Sequence, residues 1–194
     1  MQRARATHLI MVAGTLALAL SLARICSAQD RPKRETFQAQ AMGQSTQLGQ
    51  TFNVTVIIEE YSTPEDQQIL VEAFNKAGQR GLVNALTKMK AKGRIAITGT
   101  LGYDVTYIRE FPTENGRKIR LVTNRPITFG EAWTDSRSSD YNLSALEMIV
   151  TDVKNQNVGT LVPLCQFKID KEKQIQIEAY QNPWRLVDVL DRTR

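Results

Sequence analysis

From residue 51 onward the chain alternates. Phe52, Val54, Val56 and Ile58 are separated by Asn53, Thr55 and Ile57, a period of two rich in β-branched side chains that predicts a strand over residues 51–61. The period then changes. Leu70, Val71, Phe74 and Ala77 recur at helical spacing, and Leu82, Ala85, Leu86 and Met89 resume it after Gly78 and Gly81 interrupt. Thr63-Pro64-Glu65-Asp66 supplies the start: a capping hydroxyl, a proline suited to the first helical position and two carboxylates at the positive end of the dipole. Gly93 closes the run, so the expectation here is a helical pair, or one helix broken near Gly78.

After Arg94 the period returns to two. Ile95 and Ile97, then Tyr103, Val105 and Tyr107, then Ile119 and Leu121, then Ile127, Phe129 and Trp133 mark successive strands. Turn formers separate them at residues 99–102, at Asn115-Gly116 and at residues 124–126. Further strands are predicted across residues 141–153, 158–169 and 174–180, with residues 183–190 either a strand or a short helix. Pro163 cannot donate to a ladder, so it marks an edge or a bulge. Connections this short favour antiparallel neighbours. The expected fold is therefore α+β: a curved antiparallel sheet or open barrel of about eight strands, with the helical pair after the first strand. A sandwich with a helical insertion is the main rival.

The N-terminal residues follow another plan. Arg3 and Arg5 precede an uncharged run over residues 9–22, and Cys26-Ser27-Ala28 places small residues at a cleavage site. Residues 1–28 thus read as a secretory signal peptide, which makes the protein exported, to a periplasm or beyond the cell. Arg24 cuts the run short of the roughly 20 apolar residues a membrane helix needs, and nothing after the cleavage site could span one. Arg24 and Ile25 are too large for a lipoprotein processing site at Cys26, and Ala39-Gln40-Ala41 lies too far along for cleavage. Residues 29–50 are Gln-rich with scattered Phe37, Met42 and Leu48, and are expected to be a flexible arm. The structured domain is then residues 51–194.

Removing residues 1–28 changes the composition more than its length suggests. It takes three Arg and no acid from 25 basic and 20 acidic groups, and it takes His8, the only histidine, and one of two cysteines. The processed chain would have no imidazole for a Ser-His-Asp triad, a Cys-His pair or a His-containing zinc site, and a single Cys165 that is expected to be a small buried hydrophobe. No serine has a lysine three positions later, no phosphate-binding P-loop occurs, and the glycines of residues 99–102 lack a following helix. These absences lean away from catalysis and call for no cofactor. The lack of disulfides leans towards a bacterial envelope, while the sequons at Asn53 and Asn142 fall in predicted strands.

Four sets of residues remain as candidates. Arg120, Arg125, Trp133, Arg137 and Tyr141 combine guanidinium groups with large aromatics around a polar loop, the residue types recognition surfaces use. Lys88, Lys90, Lys92 and Arg94 form a basic run that suits an anionic surface, or equally complements a helix dipole. Asp135, Asp140 and Asn142 offer oxygens, but without the spacing or number of a calcium loop. Glu131 with Glu147 is one carboxylate pair that glycoside chemistry would accept on paper. Residues 104–140 balance six bases with six acids, so no nucleic-acid stripe forms. The leading expectation is non-catalytic binding of a small or lipid-like ligand in the concave side of the sheet. The alternative is an envelope interaction or assembly protein that uses a sheet edge, the basic helix end or the arm to hold an envelope partner.

Overall fold

The computed structural model describes residues 34–127, 142–153, 156–169, 175–179 and 182–193. The proposed signal peptide therefore lies outside the described residues. Among them the elements run β1 (Glu35–Met42), a short 3₁₀ turn (Ser45–Gln47), β2 (Thr51–Ile58), α1 (Pro64–Lys88), β3 (Gly93–Ile97), β4 (Tyr103–Thr113), β5 (Gly116–Thr123), β6 (Leu143–Thr151), β7 (Val158–Ile169), β8 (Ile175–Ala179) and β9 (Trp184–Asp191). Each strand from β1 to β7 pairs antiparallel with its sequence neighbour, and β9 closes the ring between β7 and β1. β8 lies on the same side of β7 as β9, paired further along it. The architecture is a closed, up-and-down barrel of eight strands with one extra strand and one helix.

Closure corrects two expectations. The sheet is not open, and the strand that closes it comes from the supposed arm. β1 pairs with β2 along its whole length, from Glu35 opposite Ile58 to Met42 opposite Thr51, and with β9 from Phe37 to Met42. Phe37, Ala39 and Ala41 are buried while Gln38 and Gln40 face solvent. The alternation was present, but two of its three apolar positions are alanines, so it carried little hydrophobic signal against the glutamines. Residues 183–190, expected as either a strand or a short helix, belong to strand β9 (Trp184–Asp191) but for Pro183.

The register separates two faces. Ile108, Leu121, Leu146 and Leu161 are opposed across β4–β7 and join the barrel interior with Phe37, Val54, Val56, Ile95 and Trp184. One residue along, Tyr107, Val122, Ala145 and Val162 are likewise opposed and point outward. They form a second core with Leu70, Leu82 and Leu86 of α1. The helix therefore covers the outside of β4–β7, where each buried leucine contributes about 2 kcal/mol.

That helix takes the second of the two expected forms, one helix broken near Gly78, rather than a separate pair. Thr63 accepts a hydrogen bond from the Asp66 amide (3.2 Å), and the Asp66 carboxylate accepts one from the Thr63 amide (2.8 Å), with Pro64 in the first turn. This reciprocal cap fixes the start. At Ala77 and Gly78 the backbone leaves helical geometry, Gly78 adopting φ 56° and ψ −145°. A Cβ on Gly81 would stand 2.1 Å from the Ala73 carbonyl oxygen, so only glycine lets the two halves approach across this kink. The helix continues through the kink and stops at Lys88; Gly93, expected to close it, opens β3 instead.

The barrel's ends differ. At one end, here the base, β4–β5 and β6–β7 are joined by short turns, and α1 departs after β2. At the other, the mouth, lie the β1–β2, β3–β4 and β5–β6 connections. The last runs from residue 124 to 142, 19 residues.

Candidate functional site

The β5–β6 connection leaves and re-enters the barrel through one buried polar knot. Thr123 and Ser144 are both fully buried. Thr123 Oγ1 accepts from the Ser144 amide (3.0 Å) and donates to the Arg125 carbonyl (2.6 Å). Ser144 Oγ donates to the Pro163 carbonyl and accepts from the Ile127 amide (2.6 Å). The β6–β7 register shifts at this point, between Leu143 and Ala145. Pro163 thus sits opposite a bulge, one of its two expected settings. Hydrogen bonds this well satisfied in a dry site anchor both ends of the connection to the wall.

Around the knot the mouth is aromatic. Phe52 of β2 and Trp184 of β9 pack with ring centroids 4.7 Å apart, tilted by 51°. Tyr103, at the start of β4, is buried with them in the interior cluster. The Arg125 guanidinium stands 4.9 Å from the Tyr103 ring centroid and donates to the Gly102 carbonyl at 3.0 Å. Among the described residues it has no carboxylate partner. Gln47, in the 3₁₀ turn between β1 and β2, is buried, and its side-chain Oε1 lacks a hydrogen-bond partner among the described residues. The mouth thus combines a buried aromatic cluster with the exposed Arg125 guanidinium.

The base is shut by charge. Arg117 donates to both Glu35 oxygens, at 3.2 and 2.6 Å, to Glu110 Oε2 at 3.0 Å and to the Tyr61 hydroxyl oxygen at 3.0 Å. Tyr61 donates in turn to Glu35 Oε1 at 3.1 Å. The Glu35 side chain is 5% exposed. Burial, and then the negative charge of Glu35, pushes the Tyr61 hydroxyl well above its usual range. Burial works against the Arg117 charge, but its carboxylate partners more than offset this and hold it firmly ionised. Both carboxylates converge on one guanidinium, which pairs with each of them. The arrangement stoppers this end of the barrel.

The structure parts the residues that the sequence grouped. Arg120 is on the outer face of β5, bound to Glu147 at 2.6 Å, whereas Arg125 is at the mouth. Trp133, Arg137 and Tyr141 lie outside the described residues, as do Glu131, Asp135 and Asp140. The run Lys88, Lys90, Lys92 and Arg94 does not act as one patch. Lys92 is nearly buried between Glu60 (2.8 Å) and Asp66 (3.1 Å), tying the β2–α1 connection to the helix start. Arg94 reaches Asp104 at 3.5 Å and the Leu101 carbonyl. Lys88 and Lys90 remain exposed.

Phe52, Tyr103, Trp184 and Gln47 gave no functional signal in the sequence. The first three sit at ordinary core positions of an alternating pattern, and Gln47 was hidden in the supposed arm. Among the described residues no group of three or more acids, cysteines or histidines could hold a metal ion. No helix there is long and apolar enough to cross a membrane. Comparison with protein-family models, curated proteins and solved structures finds no match.

Proposed function

We propose that this is an exported, non-catalytic binding protein that takes a small, largely apolar ligand with an anionic head at the mouth of its barrel. The observation that carries this reading is the contrast between the two ends. The base is stoppered by the Arg117 network and short turns, whereas the mouth gathers Phe52, Tyr103 and Trp184 at the end of the barrel where residues 124–142 connect β5 to β6. Barrels of eight strands either fill their interior or hold one small ligand, and long connections on a rigid wall are where binding residues gather. The described interior is filled from Phe37 to Met148. A ligand would therefore seat against the half-buried Phe52 ring, which packs on Trp184, with its head towards Arg125, rather than deep in the barrel.

Decanoate is a suitable first probe. A Trp133→Phe variant leaves Trp184 as the only tryptophan, and its emission should change saturably on titration. Arg125→Ala should weaken decanoate about tenfold through loss of a charge-assisted contact, with little effect on neutral decanol. No saturable response to either probe would remove the proposal. An assembly role has less in its favour: closure leaves β8 as the free edge among the described residues, and the pair Lys168–Glu178 (2.9 Å) places charges along it.

A further inference from the structure

Cross-strand register gathers charge that is scattered in the sequence. Arg109 on β4 faces Arg120 on β5, which faces Glu147 on β6, which faces Thr160 on β7. Two residues nearer the base, Phe111 faces Lys118, which faces Ile149, which faces Val158. Both rows are in phase with Tyr107 and Val122, so both lie on the outer surface. There the helix cover has run out: Ile149 and Val158 are each 40% exposed.

Phe111 is the centre of this face. The Arg109, Lys118 and Arg120 charges stand 6.0, 5.2 and 5.4 Å from its ring centroid. Glu147 neutralises Arg120 at 2.6 Å. Arg109 donates to Gln67 Oε1 at 2.7 Å, and Lys118 has the ring. Among the described residues neither has a carboxylate within salt-bridge distance. Two unneutralised cations held around one ring repel each other in the folded chain, and an anion from outside relieves that repulsion.

The shape selects among anions. The face is four neighbouring strands wide, about 14 Å across, and it is a sheet surface rather than a cleft. A small molecule on it would stay largely in water, whereas binding sites for small molecules are concave. A plane of charged head groups over an apolar layer fits: cations to phosphates, Phe111, Ile149 and Val158 towards the interface, with Val153, 49% exposed in the β6–β7 turn, extending the apolar part. We propose that this outer face of β4–β7 docks the protein on an anionic lipid surface. The site is separate from the mouth and does not depend on a ligand there.

The test is co-sedimentation of the signal-processed chain with vesicles of phosphatidylcholine alone and of phosphatidylcholine mixed with phosphatidylglycerol. Binding is expected to the mixed vesicles only and to fall with added salt. Lys118→Gln and Arg109→Gln should each weaken partition about fivefold. Lys90→Gln removes the same charge from an exposed site elsewhere and should leave partition unchanged; circular dichroism checks that all three variants fold. Equal losses in Lys118→Gln and Lys90→Gln would show that net charge alone is sensed and overturn the proposal. So would failure to sediment with the mixed vesicles. Capture of polyglutamate through the same two residues, without vesicle binding, would also overturn it and reassign the face to an acidic polypeptide.

Discussion

Glu35 shows how far a single residue's meaning depends on its partner. In the sequence it is one acid in a polar stretch, yet its carboxylate is buried and held by Arg117 and Tyr61. Arg117→Met should therefore destabilise the protein by roughly 3 kcal/mol in urea unfolding, because it strands a buried charge. Adding Glu35→Gln should recover part of that loss. Lys92 makes a similar point with pH. Burial raises the Asp66 carboxyl, but the Thr63 amide and the Lys92 ammonium outweigh it and hold the group below its usual value; the Lys92 hydrogen bond holds Glu60 down as well. Carboxyls depressed on folding stabilise fully above their unfolded range, and that stabilisation drains away as pH falls through the folded values. Burial lowers Lys92, and its two carboxylates raise it further, so its own contribution is lost only as pH climbs through the raised value. The penalty of Lys92→Met, followed by unfolding midpoints across pH, should be largest near neutrality and shrink below about pH 4. Cys165, fully buried with its thiol pushed far up by burial, should resist alkylation until the protein is unfolded. Labelling of the native protein at the rate of a free thiol would contradict that burial.

At the scale of elements, legibility followed signal strength. β2, β4, β5, β6 and β7 announced themselves through β-branched and aromatic alternation, and α1 through its cap and apolar spacing. The helix was harder to count than to find. Two glycines within four residues resemble a break, and only the packed structure shows the chain passing through a kink at Gly78. That kink yields a prediction: Gly78→Ala should cost roughly 2 kcal/mol in thermal or urea unfolding, since φ 56° with ψ −145° is strained for a side chain. A neutral or stabilising result would mean that α1 runs straight in solution. β1 was missed for the opposite reason: alanine at the inward positions and glutamine between them looks like a polar tail until its two neighbours are known. Candidate residues behaved likewise. Arg120 and Arg125 are close in sequence, but the end of β5 separates an outer face from the mouth.

For the whole molecule, closure was the property least visible in the sequence, because it depends on β1 and β9, one hidden in a polar stretch and the other ambiguous between strand and helix. Once the ring is closed, the two ends acquire different characters, and the case for ligand binding rests on that difference. Native mass spectrometry of the protein, purified without denaturation from the cells that make it, tests this most directly. The predicted result is an added small-molecule mass at fixed stoichiometry that is lost on denaturation and reduced in Arg125→Ala. A clean apo mass that stays unchanged when decanoate is supplied would contradict a ligand seat at the mouth.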